Sequence, residues 1–160
     1  MGFCGHPYAA AASVISAHVI AMFGPSFFTG SLIHRFGVLN VILAGIVLVA
    51  ACVAVALNGI TVTHFLIALA LLGVGWNFMY TGGTALLTEA YAPAEKARTQ
   101  GANDFIVFAT MGVSSLASGA MVSTAGWEAM NRAMLPILVA VAAVVIWFAW
   151  RRRAGRPAPA

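Results

Sequence analysis

Asn77, Thr81, Thr84 and Thr88 recur at i, i+4, i+7 and i+11, which is one face of a helix, inside an otherwise apolar stretch. Their amide and hydroxyl groups can hydrogen-bond a polar solute or tie neighbouring helices together. Trp76 and Tyr80 lie beside the stripe, and Gly73, Gly75, Gly82 and Gly83 leave the backbone bare on both sides of it. His18 offers a group that can bind and release a proton in the physiological range or hydrogen-bond a ligand; a buried histidine bonded to a neighbouring carbonyl has the same sequence signature. Catalytic and metal chemistry find no support. His6, His18, His34 and His64 stand on different segments with neither His-x-x-x-His spacing nor a carboxylate partner. No phosphate loop with its lysine and no nucleophile elbow is present, so no enzyme activity and no cofactor are expected.

The elements that carry these groups are long apolar runs. The 160 residues are 62% hydrophobic and 8% charged, with a mean hydropathy of +0.96. A soluble domain of this size would have to expose much of that apolar surface to water, whereas a bilayer accepts it. Each run approaches the roughly 20 residues that cross a hydrocarbon core as a helix. The expected fold class is an all-α polytopic membrane protein, with helices at about 12–33, 38–57, 64–88, 104–123 and 133–150 and a tail at 151–160. Counting about 1.5 Å per residue puts Asn77 near the middle of the third helix. As a substrate contact, Asn77 replaced by leucine is expected to lose transport with expression intact.

Helices two and five are nearly uniform: Asn40 is the one strongly polar residue of 38–57, and 135–150 holds none. Such helices can face lipid. Helices one, three and four carry Pro, Gly, Ser, Thr, Asn and His, and should face protein or water. Gly24 and Pro25 predict a bend in helix one. Gly112, Ser115, Ser118, Gly119 and Ser123 let another helix approach helix four. Cys4 and Cys52 have no partner spacing and read as ordinary residues.

Arginine and lysine set the orientation. Arg35, Lys96, Arg98, Arg151, Arg152, Arg153 and Arg156 fall on one side and Arg132 on the other, which predicts a cytoplasmic C-terminus. Trp147 and Trp150 precede the triple arginine, as at a membrane interface. The cluster could also meet nucleic acid or anionic lipid, but a topological anchor needs no such partner, and no nucleic-acid binding is expected. Glu89 and Asp104 fall at the cytoplasmic ends of helices three and four; Asn103 and Asp104 suit a helix start, and Glu89 a latch with a basic neighbour. No cleavable signal is expected, because no basic residue precedes the first apolar run. The chain is expected to begin inside a longer one, with Met1 to Tyr8 closing a preceding helix and its loop, and to end in a frayed tail at Gly155 to Ala160.

The stretch Gly30-Ser31-Leu32-Ile33-His34-Arg35-Phe36-Gly37 resembles the Gly-x-Leu-x-Asp-Arg-x-Gly loop of the major facilitator superfamily, with His34 in the acidic position. Pro93-Ala94-Glu95-Lys96-Ala97-Arg98 is similar to the Pro-x-Glu-x-x-Arg stretch before that family's eleventh helix. The resemblance implies that the five helices are the eighth to twelfth of a secondary transporter working by alternating access in the inner membrane. A small organic solute and an N-terminal six-helix half would be its partners. It also implies that His18, Met22, Trp76, Asn77, Tyr80, Thr81 and Thr84 line the substrate path. Gly30, Arg35, Gly37, Glu89, Arg98 and Asp104 would belong to the conformational loops. The stretch Gly73 to Thr88 with Met22 to Gly30 is similar to a bacterial subgroup that includes riboflavin importers. A truncated or non-transporting module for helix assembly is the alternative.

Overall fold

Pro25 has no N–H to give to the preceding turn, and the chain turns there. The computed structural model describes residues 7–154, and in it the first apolar run forms two helices, α1 (Tyr8–Phe23) and α2 (Ser26–Phe36), bent by 43°. Gly24 ends α1 with its N–H on the Ile20 carbonyl at 2.7 Å. Residues Met1 to His6 and Gly155 to Ala160, including Cys4 and both expected chain ends, lie outside the described residues.

Gly37 supplies the sharp turn into α3 (Val38–Asn58), at φ 87°, a conformation that disfavours residues with a Cβ. After a short loop, Thr61 caps α4 (Val62–Leu87), its hydroxyl accepting the His64 N–H at 3.3 Å. α4 packs between α3 on one side and α1 on the other. The packing is close because its glycines sit at the contacts. A Cβ on Gly75 would come within 2.9 Å of the Gly45 carbonyl oxygen of α3, and one on Gly73 within 2.7 Å of the His18 carbonyl oxygen of α1. The bare backbone expected around the polar stripe is therefore covered by neighbouring helices at Gly73, Gly75 and Gly82, while a Cβ on Gly83 would meet nothing within 4 Å.

A short 3₁₀ turn, Pro93–Glu95, leads into α5 (Lys96–Ala154), and the Glu95 carboxylate accepts the Ala92 N–H at 3.3 Å. α5 is 59 residues long but not one straight rod, because Gly126 adopts φ 85° and ψ 173°. The two limbs, 96–125 and 127–154, run in opposite directions. In the first, Asp104 accepts the hydroxyl of Tyr80 on the later half of α4, and Asn103 shares a cleft with Leu87 and Ala90 at that helix's end. In the second, Trp127 donates its indole N–H to Ala56 near the end of α3 at 2.9 Å and meets Phe65 of the first turn of α4 edge to face. Arg152, 25 residues on, reaches Glu89 beyond the other end of α4.

By length and apolarity three helices can cross a membrane, or four when the bent pair is one span. Counting the limbs of α5 separately gives five passes, each limb exceeding the roughly 20 residues a crossing needs. The protein is an all-α, multi-pass membrane protein. Of the boundaries that differ from the sequence reading, two change the place of side chains it had assigned. The helix carrying Asn103 and Asp104 starts at Lys96, so neither residue caps it. The arginines at 151–153 ride on the last turn of α5, which runs on to Ala154, instead of standing in a tail.

Val41, Ile42, Ile46 and Val53 of α3 join Phe65 and Ala68 of α4 and Val14 of α1 in the buried interior. Asn131 is the buried residue of α5, and its amide is turned back on the Trp127 carbonyl. Phe105, Ile106, Phe108, Val113 and Leu116 of the first limb are exposed. Lipid tails accept such a surface as readily as another apolar helix would. Glu89, Arg152 and Arg153 gather with the α2–α3 junction at one end, whereas Arg132 pairs with Glu128, one turn earlier on the second limb, at 2.9 Å.

Candidate functional site

The bend in the first pass and the polar face of α4 meet at Asn77. Its side chain is 2% exposed and each polar atom of its amide has a partner. Nδ2 donates to the Met22 carbonyl at 2.9 Å and to the Ser26 hydroxyl at 2.6 Å; Oδ1 accepts from the Thr29 hydroxyl at 2.7 Å. Thr29 is fully buried, and its single proton has a second acceptor, the Pro25 carbonyl, at 2.8 Å. One amide thus spans the break, holding the last turn of α1 and the first turn of α2 to the middle of α4. Ser26 and Thr29 were not singled out by sequence reasoning. Their signal was two hydroxyls three residues apart, directly after the proline that opens the helix.

His18 is tied in a similar way one turn outward, with Nδ1 2.7 Å from the Leu69 carbonyl. A carbonyl can only accept, so Nδ1 carries a proton and Nε2 remains for another partner. Met22 is half-buried and enters the site through its carbonyl.

Trp76 and Tyr80 stack with ring centroids 4.7 Å apart and planes 9° from parallel. The Tyr80 hydroxyl donates to Asp104 Oδ1 at 3.1 Å, and Asn103 Nδ2 lies 3.3 Å from the same oxygen. Asp104 is therefore a tie between α4 and the first limb of α5, not a cap. The rest of the stripe divides by depth. Thr81 and Thr84 are half-buried, and the Thr84 hydroxyl oxygen is enclosed without a hydrogen-bond partner. Thr88 is exposed at the end of α4 and turns its hydroxyl onto the Ala85 carbonyl at 2.6 Å.

The loop residues are spread along one end. Gly30 is exposed within α2, where a Cβ would meet nothing within 4 Å; Arg35 lies over the Phe36 ring at 5.4 Å, and Gly37 makes the turn. Glu89 finds its basic neighbour in Arg152. Arg98 lines a separate cleft with Glu95, Tyr91 and Asn103. Among the described residues, no three His, Cys, Asp or Glu side chains come together to hold a metal.

Tyr80→Phe is expected to weaken the α4–α5 tie by about 0.6 kcal/mol, the average of hydrogen bonds between membrane helices. A double-mutant cycle with Asp104→Asn, read from unfolding in detergent, measures that coupling; additive effects would show that the bond contributes nothing.

A bent first pass, a glycine-packed polar helix and two short loop motifs on one side describe a transporter-type bundle. The Major Facilitator Superfamily model matches residues 5–160, and the chain belongs to that family. It is 47% identical over 137 residues to the riboflavin transporter RfnT of Brucella anthropi, covering 86% of this chain and 34% of that protein. It is 32% identical over 150 residues to the uncharacterized MFS-type transporter YddS of Bacillus subtilis, and 32% over 145 residues to YdeG of the same organism. These alignments cover 92% and 89% of this chain, and the chain spans about a third of the length of each of the three relatives. No solved structure matches the chain.

Proposed function

We propose that this chain forms the eighth to twelfth helices of a secondary transporter and supplies one wall of a path for a small organic solute. The observation that carries this reading is the broken first pass clamped at mid-span to the polar helix by Asn77. Discontinuous helices near the bilayer midplane are where secondary transporters place their substrate sites. In this reading Asn77 positions the break, and Trp76, Tyr80, Thr81 and Thr84 meet the solute as the halves rock against each other. Loops at Gly30, Arg35, Gly37, Glu89 and Arg98 control that motion from the cytoplasmic side, where the C-terminus also lies. The protein moves its solute without chemical change and works in the cell's inner membrane.

Identity to a riboflavin transporter supports a flat, polar aromatic solute of the riboflavin kind. The parallel Trp76 and Tyr80 rings offer stacking surface suited to one. A wall needs an opposite wall, which an N-terminal six-helix half would provide. Proteoliposomes holding this chain alone should take up no labelled riboflavin, and co-reconstitution with the first seven helices of the Brucella relative should restore uptake. Flux through the chain alone would overturn the half-transporter reading. Restored uptake of other solutes but not of riboflavin would overturn only the substrate.

A further inference from the structure

We infer that the basic end of the bundle holds an anionic phospholipid by its phosphodiester, in the cleft between the start of α3 and the last turn of α5. This cleft, of about 360 Å³, is lined by Val38, Leu39 and Asn40 on one side and Arg152 and Arg153 on the other, with Glu89 at its wall.

Two features of the cleft favour an anion. α3 begins without a side-chain cap, and the Gly37 N–H is already bonded to Ile33. The N–H groups of Val38, Leu39 and Asn40 are the next three donors of the helix start, which no intrahelical carbonyl can reach. All three residues line the cleft, at the positive end of a 21-residue helix. Opposite them stand two guanidinium groups. Glu89 offsets Arg152 by pairing with it, whereas Arg153 has no carboxylate within ion-pair distance among the described residues. The cleft is therefore net positive, with an uncapped helix start on one wall and no acidic group among its lining residues beyond the paired Glu89.

Its depth selects a lipid headgroup over a free phosphate. Trp147 and Trp150 lie one turn before the arginines and are exposed, and Arg151 stacks over the Trp147 ring at 5.1 Å. Exposed indoles at a helix end mark the headgroup level. A phosphodiester at that level meets the cleft with its acyl chains along the second limb, where exposed Ile146 lies two turns before Arg153 on the same face.

The test purifies the chain from vesicles of equal parts phosphatidylglycerol and phosphatidylcholine and measures retained lipids by mass spectrometry. Phosphatidylglycerol should be enriched. Arg153→Gln should cut that enrichment about fivefold, the loss of one cation near an anionic surface. Val38→Pro removes one N–H donor at a helix position where proline is tolerated, and should lower enrichment with helix content intact by circular dichroism. Arg132→Gln, at the opposite end, should leave it unchanged. No enrichment, an equal loss in Arg132→Gln, or full enrichment in Val38→Pro would each overturn the site as described. Millimolar inorganic phosphate that displaces the lipid completely would overturn the choice of a lipid in favour of the free anion.

Discussion

Asn77→Leu is expected to lower the unfolding midpoint of the detergent-solubilised chain by about 4–8 °C, the shift that a loss of about 2 kcal/mol gives in a protein of this size. The side chain that replaces it fills the space but takes away the bonds that the Met22 carbonyl and the Ser26 and Thr29 hydroxyls make to the amide, leaving Thr29 only the Pro25 carbonyl. Each unmet bond inside a membrane protein costs about 0.6–1.7 kcal/mol. Thr29→Val breaks one of the three Asn77 bonds and leaves those to Met22 and Ser26, so it should cost less than Asn77→Leu. The yield of folded protein should fall together with the midpoint. The polar stripe alone predicted lost transport with intact expression; burial of Asn77 among three partners replaces that expectation. A midpoint unchanged in Asn77→Leu would show that the bend holds without the amide.

Gly75→Ala and Gly45→Ala should each destabilise by about 1–3 kcal/mol, the range for overpacking a closed contact. The new methyl on Gly75 would lie 2.9 Å from the Gly45 carbonyl and 2.8 Å from a Val49 methyl; on Gly45 it would lie 2.8 Å from the Gly75 carbonyl and 3.1 Å from the Met79 nitrogen. Backbone atoms cannot swing aside, so α3 and α4 must part along their crossing. Once they have parted, a second methyl meets less resistance, and the double variant should cost less than the sum of the singles. Gly83→Ala is the matched control on the same helix. Nothing lies within 4 Å of its new methyl, so it should be neutral or gain up to about 1 kcal/mol from helix propensity. Thermal unfolding of the four variants in one detergent decides the matter. Equal effects at Gly75 and Gly83 would remove the case for a close crossing.

Much of the bundle could be read from the chain because the bilayer imposes simple demands. Apolar runs of about 20 residues must become helices, since every backbone group in lipid has to be bonded within its own segment. The bend at Pro25 followed from a missing N–H, and the gathering of arginine at one end from the cost of carrying charge through hydrocarbon. The family resemblance rested on two short loops whose order and spacing agreed with the same helices.

Partner choice within the bundle was not legible in this way. The period of Asn77, Thr81, Thr84 and Thr88 states that they share a face, but a polar face toward solute and one toward another helix have the same spacing. Tertiary packing decided it residue by residue: Asn77 is sealed against the bend, Thr84 is enclosed without a partner, and Thr88 reaches the end of the helix. Asp104 looked like a cap because the apolar run starts beside it. The helix in fact begins eight residues earlier, directly after the short turn in which Glu95 accepts the Ala92 N–H, and its polar first turn is one that hydrophobicity does not register. Likewise, Glu89 and Arg152 are 63 residues apart and could be joined only by the return of α5 at Gly126. Sequence by itself determined the helices, their bend and their charged end, because these depend on local composition and on the solvent. Only the tertiary structure decided which polar groups pair, because that depends on which distant segments the glycine contacts allow to touch.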